Sequence, residues 1–489
     1  MRAIPGKAGW LTVEYEVVIG LEIHAELATR SKIYCGCTTE FGGEPNTHCC
    51  PICTGMPGVL PVLNKTVVEY AVKAGLATNC TISSFSKQDR KNYFYPDLPK
   101  AFQTSQYDLP LCVNGYLEIE VDGKVKKVGI TRIHIEEDAG KLIHDESDKS
   151  TFIDYNRCGV PLIEIVTEPY MCSSAEVKAF FEELKTILEY TSVSDCKMQE
   201  GSLRADVNLS VRPKGKKEFG TRTEMKNLNS VRAIVRAVDE EARRQITVLE
   251  QNGVIVQETR RWDDEEGESY SMRGKEEAHD YRYFPEPDLT PIVVDEAWLD
   301  KIRSSIPELP GDRKKRYMTE YGIPVYDASL ITGSKPLSDF FEAAANESKN
   351  VKAISNWIMG DVMKKLNDTG LEPQNIPFKP ENLSKLVSLI DENVISGKIA
   401  KQVFELMWET GEDPADIVEK KGLKVVTDTD AIRSVIIQVI SANPKSVEDY
   451  KSGKTKAMGF LVGQIMRETK GKAEPQTVNR LLQEELDKL

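Results

Sequence analysis

Two sets of residues in this 489-residue chain have types and spacing suited to chemistry: a cysteine quartet and a group of strand-borne carboxylates. Cys35-Gly-Cys37 is followed, after twelve residues, by Cys50-Pro-Ile-Cys53. Four thiolates in two close pairs can close a tetrahedron around zinc, and glycine and proline supply the tight knuckles this requires. A site of four thiolates leaves no open position for water, so such a zinc would be structural. Cys49 is a spare thiol beside the second pair, and four reduced cysteines without metal remain the alternative. Cys80, Cys112, Cys158, Cys172 and Cys196 are isolated and read as small buried hydrophobes.

The carboxylates lie on segments with strand-like alternation. In Val18–Leu27, period two places Glu22, His24 and Glu26 on one face, while Leu21, Ile23, Ala25 and Leu27 point to a core. Glu136, Glu137 and Asp138 end the apolar run that begins at Ile133, and Glu164 interrupts the aliphatic Val160–Val166. Arg204–Arg212 alternates again, with Asp206 and Asn208 opposite Ala205, Val207 and Leu209. A solvent-facing strand position accounts for any one of these acids except Glu164, which needs a partner among its aliphatic neighbours. Together they would be costly on one face unless a cation neutralised them. Oxygen-rich ligation with one histidine suits Mg²⁺ or Mn²⁺ better than zinc, and neighbouring arginines would hold phosphate bidentately.

The elements that must position these groups follow from the patterning. Besides the four strands there are two helical spacings, Ser174–Tyr190 and Ser230–Glu250. Ser86–Leu111 and Arg260–Pro291 read as long functional loops. After Ile292 the punctuation by Pro307, Pro310 and Gly311 gives way to helical spacing as far as Leu489. The expectation is an α+β catalytic domain over 1–293, a helical domain over 294–408 and a small helical tail over 409–489.

Composition narrows the setting. Hydrophobic residues at 40% and charged residues at 29% describe ordinary globular protein, and no apolar run reaches the roughly 18 residues of a membrane span. No secretory signal opens the chain, so a cytosolic, reducing compartment is expected, where cysteines serve as ligands or buried thiols. The net charge of −13 disfavours indiscriminate nucleic-acid binding. Lys445–Lys472 nevertheless holds seven basic against three acidic residues, which is either a nucleic-acid contact or a set of solvated helix faces. There is no phosphate-cradling G-x-x-x-x-G-K-[ST] loop; Gly453-Lys454-Thr455 supplies only its second half. Any nucleotide must then be held by metal and arginines. No glutaminase constellation is visible either, so ammonia would have to come from elsewhere.

Long stretches resemble the B-subunit family of the aspartyl/glutamyl-tRNA amidotransferases. They include Val18–Leu27, the knuckles continuing into Gly55–Asn64, Asp89–Lys100, His134–His144, Gly159–Pro169 and Glu200–Pro213. Thr223–Ser230, Glu276–Leu289 and Gly453–Met466 carry it to the tail. The chain departs from the usual pattern at Tyr170, Gly274 and Cys49.

The resemblance implies a glutamine-synthetase-like cradle with an antiparallel sheet whose concave face holds metal and ATP. It implies phosphorylation of the side-chain carboxylate of misacylated Glu-tRNA(Gln) or Asp-tRNA(Asn). Ammonia from a glutaminase A subunit would then displace phosphate, with a C subunit completing a heterotrimer and the tail binding tRNA. On this resemblance Glu22, His24, Glu137, Glu164 and Asp206 look like the Mg²⁺ ligands, and Cys35, Cys37, Cys50 and Cys53 like the zinc ligands. Arg204, on the Asp206 face, is the expected phosphate contact, so Arg204 and Asp206 are the expected catalytic pair. Asp89–Asp97 and His279–Arg282 are candidates for the ammonia path or substrate pocket, with salt-bridged structural loops as the alternative. Lys454, Lys456, Lys470 and Lys472 are candidate tRNA-phosphate contacts.

Two other classes compete. Against a stand-alone carboxylate–amine ligase or phosphagen-type kinase on the same fold, acting on a small molecule, stand the helical tail and the missing ammonia source. A non-enzymatic, zinc-stabilised RNA-binding scaffold would leave the five metal-suited side chains unexplained.

Overall fold

A computed structural model describes residues 13–145, 149–274, 281–425, 429–452, 454, 456–469 and 473–489. Lys470, Lys472, His279 and Asp280 lie outside the described residues. The chain divides into two units, Met1–Pro310 and Gly311–Leu489.

The first unit is built on a nine-stranded sheet. In chain order its strands are β1 (Tyr15–Glu26), β2 (Thr81–Ile82), β3 (Cys112–Val121), β4 (Lys124–Glu137) and β5 (Pro161–Thr167). They continue with β6 (Leu203–Pro213), β7 (Thr223–Leu228), β8 (Glu258–Asp263) and β9 (Glu268–Gly274). In space the order is β9-β8-β7-β6-β1-β5-β4-β3-β2, so the N-terminal strand lies at the centre. The four strands read from alternation are therefore consecutive neighbours, β6-β1-β5-β4.

One face of these strands is aliphatic. Leu21, Ile23 and Ala25 of β1, Ile163 and Ile165 of β5, Ile133 and Ile135 of β4, and Val207 and Leu209 of β6 are all buried. Three helices share their core: α1 (Lys65–Ala77), α2 (Ser174–Tyr190) and α3 (Val231–Glu250). Each starts at a side-chain cap that satisfies an otherwise unpaired first-turn amide. Asn64 accepts from Thr66 N, Ser173 from Glu176 N and Ser230 from Ala233 N. With helices on one side, the polar alternates of the same strands are left to the other.

The expected antiparallel sheet needs one correction: it is mixed, because β7 and β8 run parallel. The intervening α3 is a crossover that returns the chain to its starting end, and a crossover of that kind makes parallel neighbours. The two long loops also contain short strands, Asp89–Asn92, Phe102–Ser105 and Phe284–Pro285, which form a separate three-stranded sheet. β8 escaped the sequence reading because its inward positions are Arg260 and Trp262 rather than aliphatics.

Arg260 is tolerated there because Glu241, fully buried on α3, lies 3.5 Å from its Nε. Glu241 also accepts from Thr223, Gln245 and Arg244. Removing one partner of such a network strands the remaining charge, so Glu241→Ala should destabilise the first unit by about 3–5 kcal/mol. Urea unfolding checks this, and a variant as stable as the parent would show that the network is dispensable.

Beyond the expected boundary at 293/294, helix α4 (Glu296–Ser304) still packs its Ile302 into the first core, and the first unit closes at Pro310. Among the described residues the named elements of the second unit are all helices, with two separate cores. One runs from Tyr317 to Val418 and the other from Ile432 to Leu486. Among the described residues, no helix is long and apolar enough to cross a membrane.

Candidate active site and metal centres

Strand register assembles the polar face. His24 pairs with Arg204 on one side and Glu164 on the other, and Glu164 pairs in turn with His134. One row across four strands therefore reads Arg204–His24–Glu164–His134. A second row sets Asp206 beside Glu22, followed by Val166 and Arg132. Glu26 and Glu136 both pair with Leu162 in a third.

Within this face His24, Glu136 and Glu164 each offer a ligand atom within 4.8 Å of the others. His24 Nε2 lies 3.5 Å from Glu136 Oε1 and 3.5 Å from Glu164 Oε2. His134 Nε2 lies 3.3 Å from Glu164 Oε2 and 3.8 Å from Glu136 Oε2. Ser105, from the small sheet, donates to Glu136 Oε2 at 3.2 Å.

The electrostatics follow from two buried carboxylates facing two imidazoles. Burial alone would lower the His134 pKa, but Glu164 and Glu136 outweigh it and push it up to about 9. His24 is raised against its own burial by the Glu164 hydrogen bond and by Glu136. Burial would raise Glu164, yet His134 and His24 hold it well below the carboxylate range. Glu136 is lowered in the same way, chiefly by its hydrogen bond to His134. Glu26 behaves oppositely: burial first, and Asp138 second, push it up to about 8. Two anionic groups thus await two positive charges, which two protons or one divalent cation can supply.

The expected ligands divide. His24 and Glu164 are brought together. Glu22 and Asp206 are cross-strand neighbours in the next row, where Asn208 donates to Glu22 Oε1 at 2.9 Å and Lys226 donates to Asp206 Oδ2. Glu137 is set apart from them. Strand alternation from Ile133 and Ile135 turns it to the opposite side from His134 and Glu136, where its carboxylate takes Lys100 Nζ and Thr104 N. The same alternation was available in the sequence; counting back from the two isoleucines selects His134 and Glu136. Arg204 donates to Asp138 Oδ2 at 2.7 Å, while its buried Nε has no hydrogen-bond partner among the described residues. His134 Nδ1 and Asn208 Oδ1 on the same face are likewise buried and unpartnered. Unpartnered buried polar atoms on this face suit a polar ligand.

The candidate loops are partly structural. Asp89 is buried, pairs with Lys87 and accepts from Tyr107 N, and Arg90 is held by Glu286. Tyr281 packs edge-on against Tyr93 and Tyr283, and Tyr283 stacks on Tyr107 at 4.3 Å. A cavity of about 210 Å³ is lined by Tyr34, Met56, Arg90, Lys100, Thr104 and Glu286 among others. In the helical unit Lys454 is exposed and pairs with Asp449 at 2.7 Å, and Lys456 is exposed at the start of its helix.

The cysteines converge as their spacing implies. Sγ of Cys35, Cys50 and Cys37 lie 3.3, 3.6 and 3.7 Å from Sγ of Cys53. A zinc tetrathiolate with Zn–S near 2.3 Å has S–S edges of about 3.8 Å, so this quartet fits zinc with little movement. The His24, Glu136 and Glu164 set is a hard, mostly oxygen donor group. Its 3.5 Å separations lie a few tenths of an ångström outside the edges of about 3 Å of an octahedral Mg²⁺ site.

Residues 17–300 match the family described as the GatB/GatE catalytic domain, and residues 339–486 match the GatB domain. The B subunit of the aspartyl/glutamyl-tRNA(Asn/Gln) amidotransferase of Caldicellulosiruptor bescii is 68% identical over 480 residues, covering 98% of this chain and 100% of that protein. The chain belongs to the GatB family. The protein of the same name from a Thermoanaerobacter strain is 64% identical, over 97% of this chain and 100% of its own. That of Moorella thermoacetica is 54% identical with the same coverage. Both metal-suited clusters fall inside the GatB/GatE catalytic match, while Lys454 and Lys456 fall inside the GatB domain match.

Proposed function

We propose that this chain is the transamidase subunit of a glutamine-dependent aminoacyl-tRNA amidotransferase. It acts on misacylated Glu-tRNA(Gln), Asp-tRNA(Asn) or both, in a heterotrimer with a glutaminase A subunit and a C subunit. The observation that carries the reading is the row Arg204–His24–Glu164–His134 with Glu136 beside it, on a chain that spans the full length of relatives named for this activity. Those names lend no support to the small-molecule ligase. The nine-stranded sheet, helices on one face and ligands on the other, suits the glutamine-synthetase-like cradle. Ten free cysteines suit a reducing cytosol.

A carboxylate does not accept ammonia until phosphorylation supplies a leaving group. The substrate's side-chain carboxylate therefore takes the terminal phosphoryl of ATP, and ammonia then displaces phosphate to leave the amide. Glu136, Glu164 and His24 would hold Mg²⁺, which supplies charge neutralisation for the transferring phosphoryl. His134, 3.3 Å from the same Glu164 Oε2 that faces His24, helps to orient that carboxylate. Arg204 is fixed by Asp138, itself 3.4 Å from Arg157, so the guanidinium would meet phosphate without having to be ordered first. Asn208 and Lys226 hold Glu22 and Asp206 on the adjoining row for a second cation or for the substrate. Lys100 and Thr104 line the cavity and also bond Glu137 at the end of β4. The four cysteines would hold zinc as a structural clamp.

The test is amidation of Glu-tRNA(Gln) and Asp-tRNA(Asn) by the chain assembled with its A and C subunits. Product that depends on ATP and Mg²⁺ is expected; refusal of both substrates by a well-assembled complex would sink the reading.

The third core is the candidate tRNA contact. A cut after Gly411 would strip Ile417 and Val418 from the second core, so the informative deletion removes 429–489. We expect tRNA affinity to fall at least about tenfold, and the salt dependence to flatten as phosphate contacts go. Unchanged affinity in filter binding would remove the tail, with Lys454 and Lys456, from the interface.

A further inference from the structure

Lys32 is a lysine with no exposure at all, which is unusual for a side chain that ordinarily keeps its ammonium in water. It lies between β1 and the first cysteine pair, and its backbone amide donates to Cys37 O at 3.0 Å. Its stem runs beside Gly159, at the entrance to β5. Among the described residues no carboxylate forms an ion pair with it. Its Nζ instead has one partner, Cys53 Sγ at 3.8 Å. Cys53 is the one buried member of the quartet, and its carbonyl accepts from Cys158 Sγ at 3.3 Å.

An isolated buried ammonium costs several kcal/mol unless an anion accompanies it. A zinc ion bound by four thiolates carries a net charge of −2, and the sulfur farthest from water has the least help from solvent. One cation placed on that sulfur solves both problems at once. We infer that Lys32 is a positioning residue for the zinc centre. It donates to the Cys53 thiolate from outside the ligand sphere, halves the net charge of the buried centre and keeps that ligand bound. The inference rests on the zinc reading above and extends it to a residue outside the cysteine motif. Partners of this kind change metal affinity about 10–100-fold when removed.

The test uses the full chain loaded with zinc, and separately with Co²⁺, comparing wild type with K32M and K32R. Zinc release to a chromophoric chelator should be at least about tenfold faster from K32M, with a shifted Co²⁺–thiolate charge-transfer band. K32R, which keeps the charge, should release zinc within a few-fold of wild type. K32M indistinguishable from wild type, in a protein that binds zinc, overturns the role of Lys32 and leaves the zinc reading standing. Release from K32R as fast as from K32M also overturns it, because packing rather than charge would then be responsible. A wild type that takes up neither zinc nor cobalt overturns both readings. Should K32M not fold, K32Q is read in its place. In the wild type the Lys32 ammonium proton signal should be protected from exchange only while zinc is bound; protection unchanged by zinc removal overturns the inference.

Discussion

Replacing Glu164 by Gln is expected to lower ATP-dependent amidation at least about 10³-fold, roughly 4 kcal/mol of transition-state stabilisation, while the A subunit still hydrolyses glutamine. The substitution conserves shape between Ile163 and Ile165, so the sheet should survive it. What disappears is the charge that faces His24 and His134 at 3.5 and 3.3 Å. Without it the face loses a cation ligand and leaves His134 only Glu136 as a partner. Mn²⁺ affinity, read by its magnetic resonance signal, separates ligand loss from misfolding. It should fall by at least about tenfold in E164Q and E136Q and stay within about twofold in E137Q. The opposite order, with E137Q losing metal and E136Q retaining it, would move the cation to the end of β4 beside Lys100. Wild-type amidation by E164Q would remove this face from the chemistry altogether.

Breaking the thiolate quartet is the second large effect. Cys53→Ser, or zinc removal by a chelator, should destabilise the first unit by at least about 3 kcal/mol. At roughly 1.5 °C per kcal/mol for a unit of this size, the melting temperature should fall by about 5 °C or more. The damage should reach beyond the knuckle. The turn that leaves it passes through Gly55 at φ +64°, where a Cβ would overlap the Lys100 side chain. Lys100 in turn holds Glu137, so a loosened knuckle releases a group on the cavity wall. Amidation should therefore decline together with melting temperature in the zinc-free protein, and return with zinc. A chelated protein that melts with the parent would show that the four thiols need no metal.

The contrast between Glu136 and Glu137 shows how far local pattern reaches. Alternation and short apolar runs located β1, β4, β5 and β6, and alternation named the buried side of β1 and β6, because a strand face is a property of neighbouring residues. The cysteine quartet was legible for a similar reason: its members lie within nineteen positions, so the knuckles are closed by short-range geometry. Family membership was legible in motifs running nearly the length of the chain. The helical half announced itself through its spacing and its proline and glycine stops.

Partnerships made at long range were not legible. Glu164 could be seen to need a partner, but only the register of β5 between β1 and β4 supplies His24 and His134, 140 and 30 positions away. Glu22 and Asp206 were placed on the right face, yet one row along the strands takes them out of the His24 cluster. The parallel pair β7–β8 depends on where α3 returns the chain, and β8 is buried by an arginine whose countercharge sits on that helix. Nothing in the pattern around Lys32 singles it out; burial against Cys53 does. The sequence by itself determined the four central strands, the faces of two of them and the spacing of the thiolate quartet, since these depend on residues a few bonds apart. Only the tertiary structure decided which charges meet, because the energy of a buried charge depends on groups that the chain brings together from a hundred residues away.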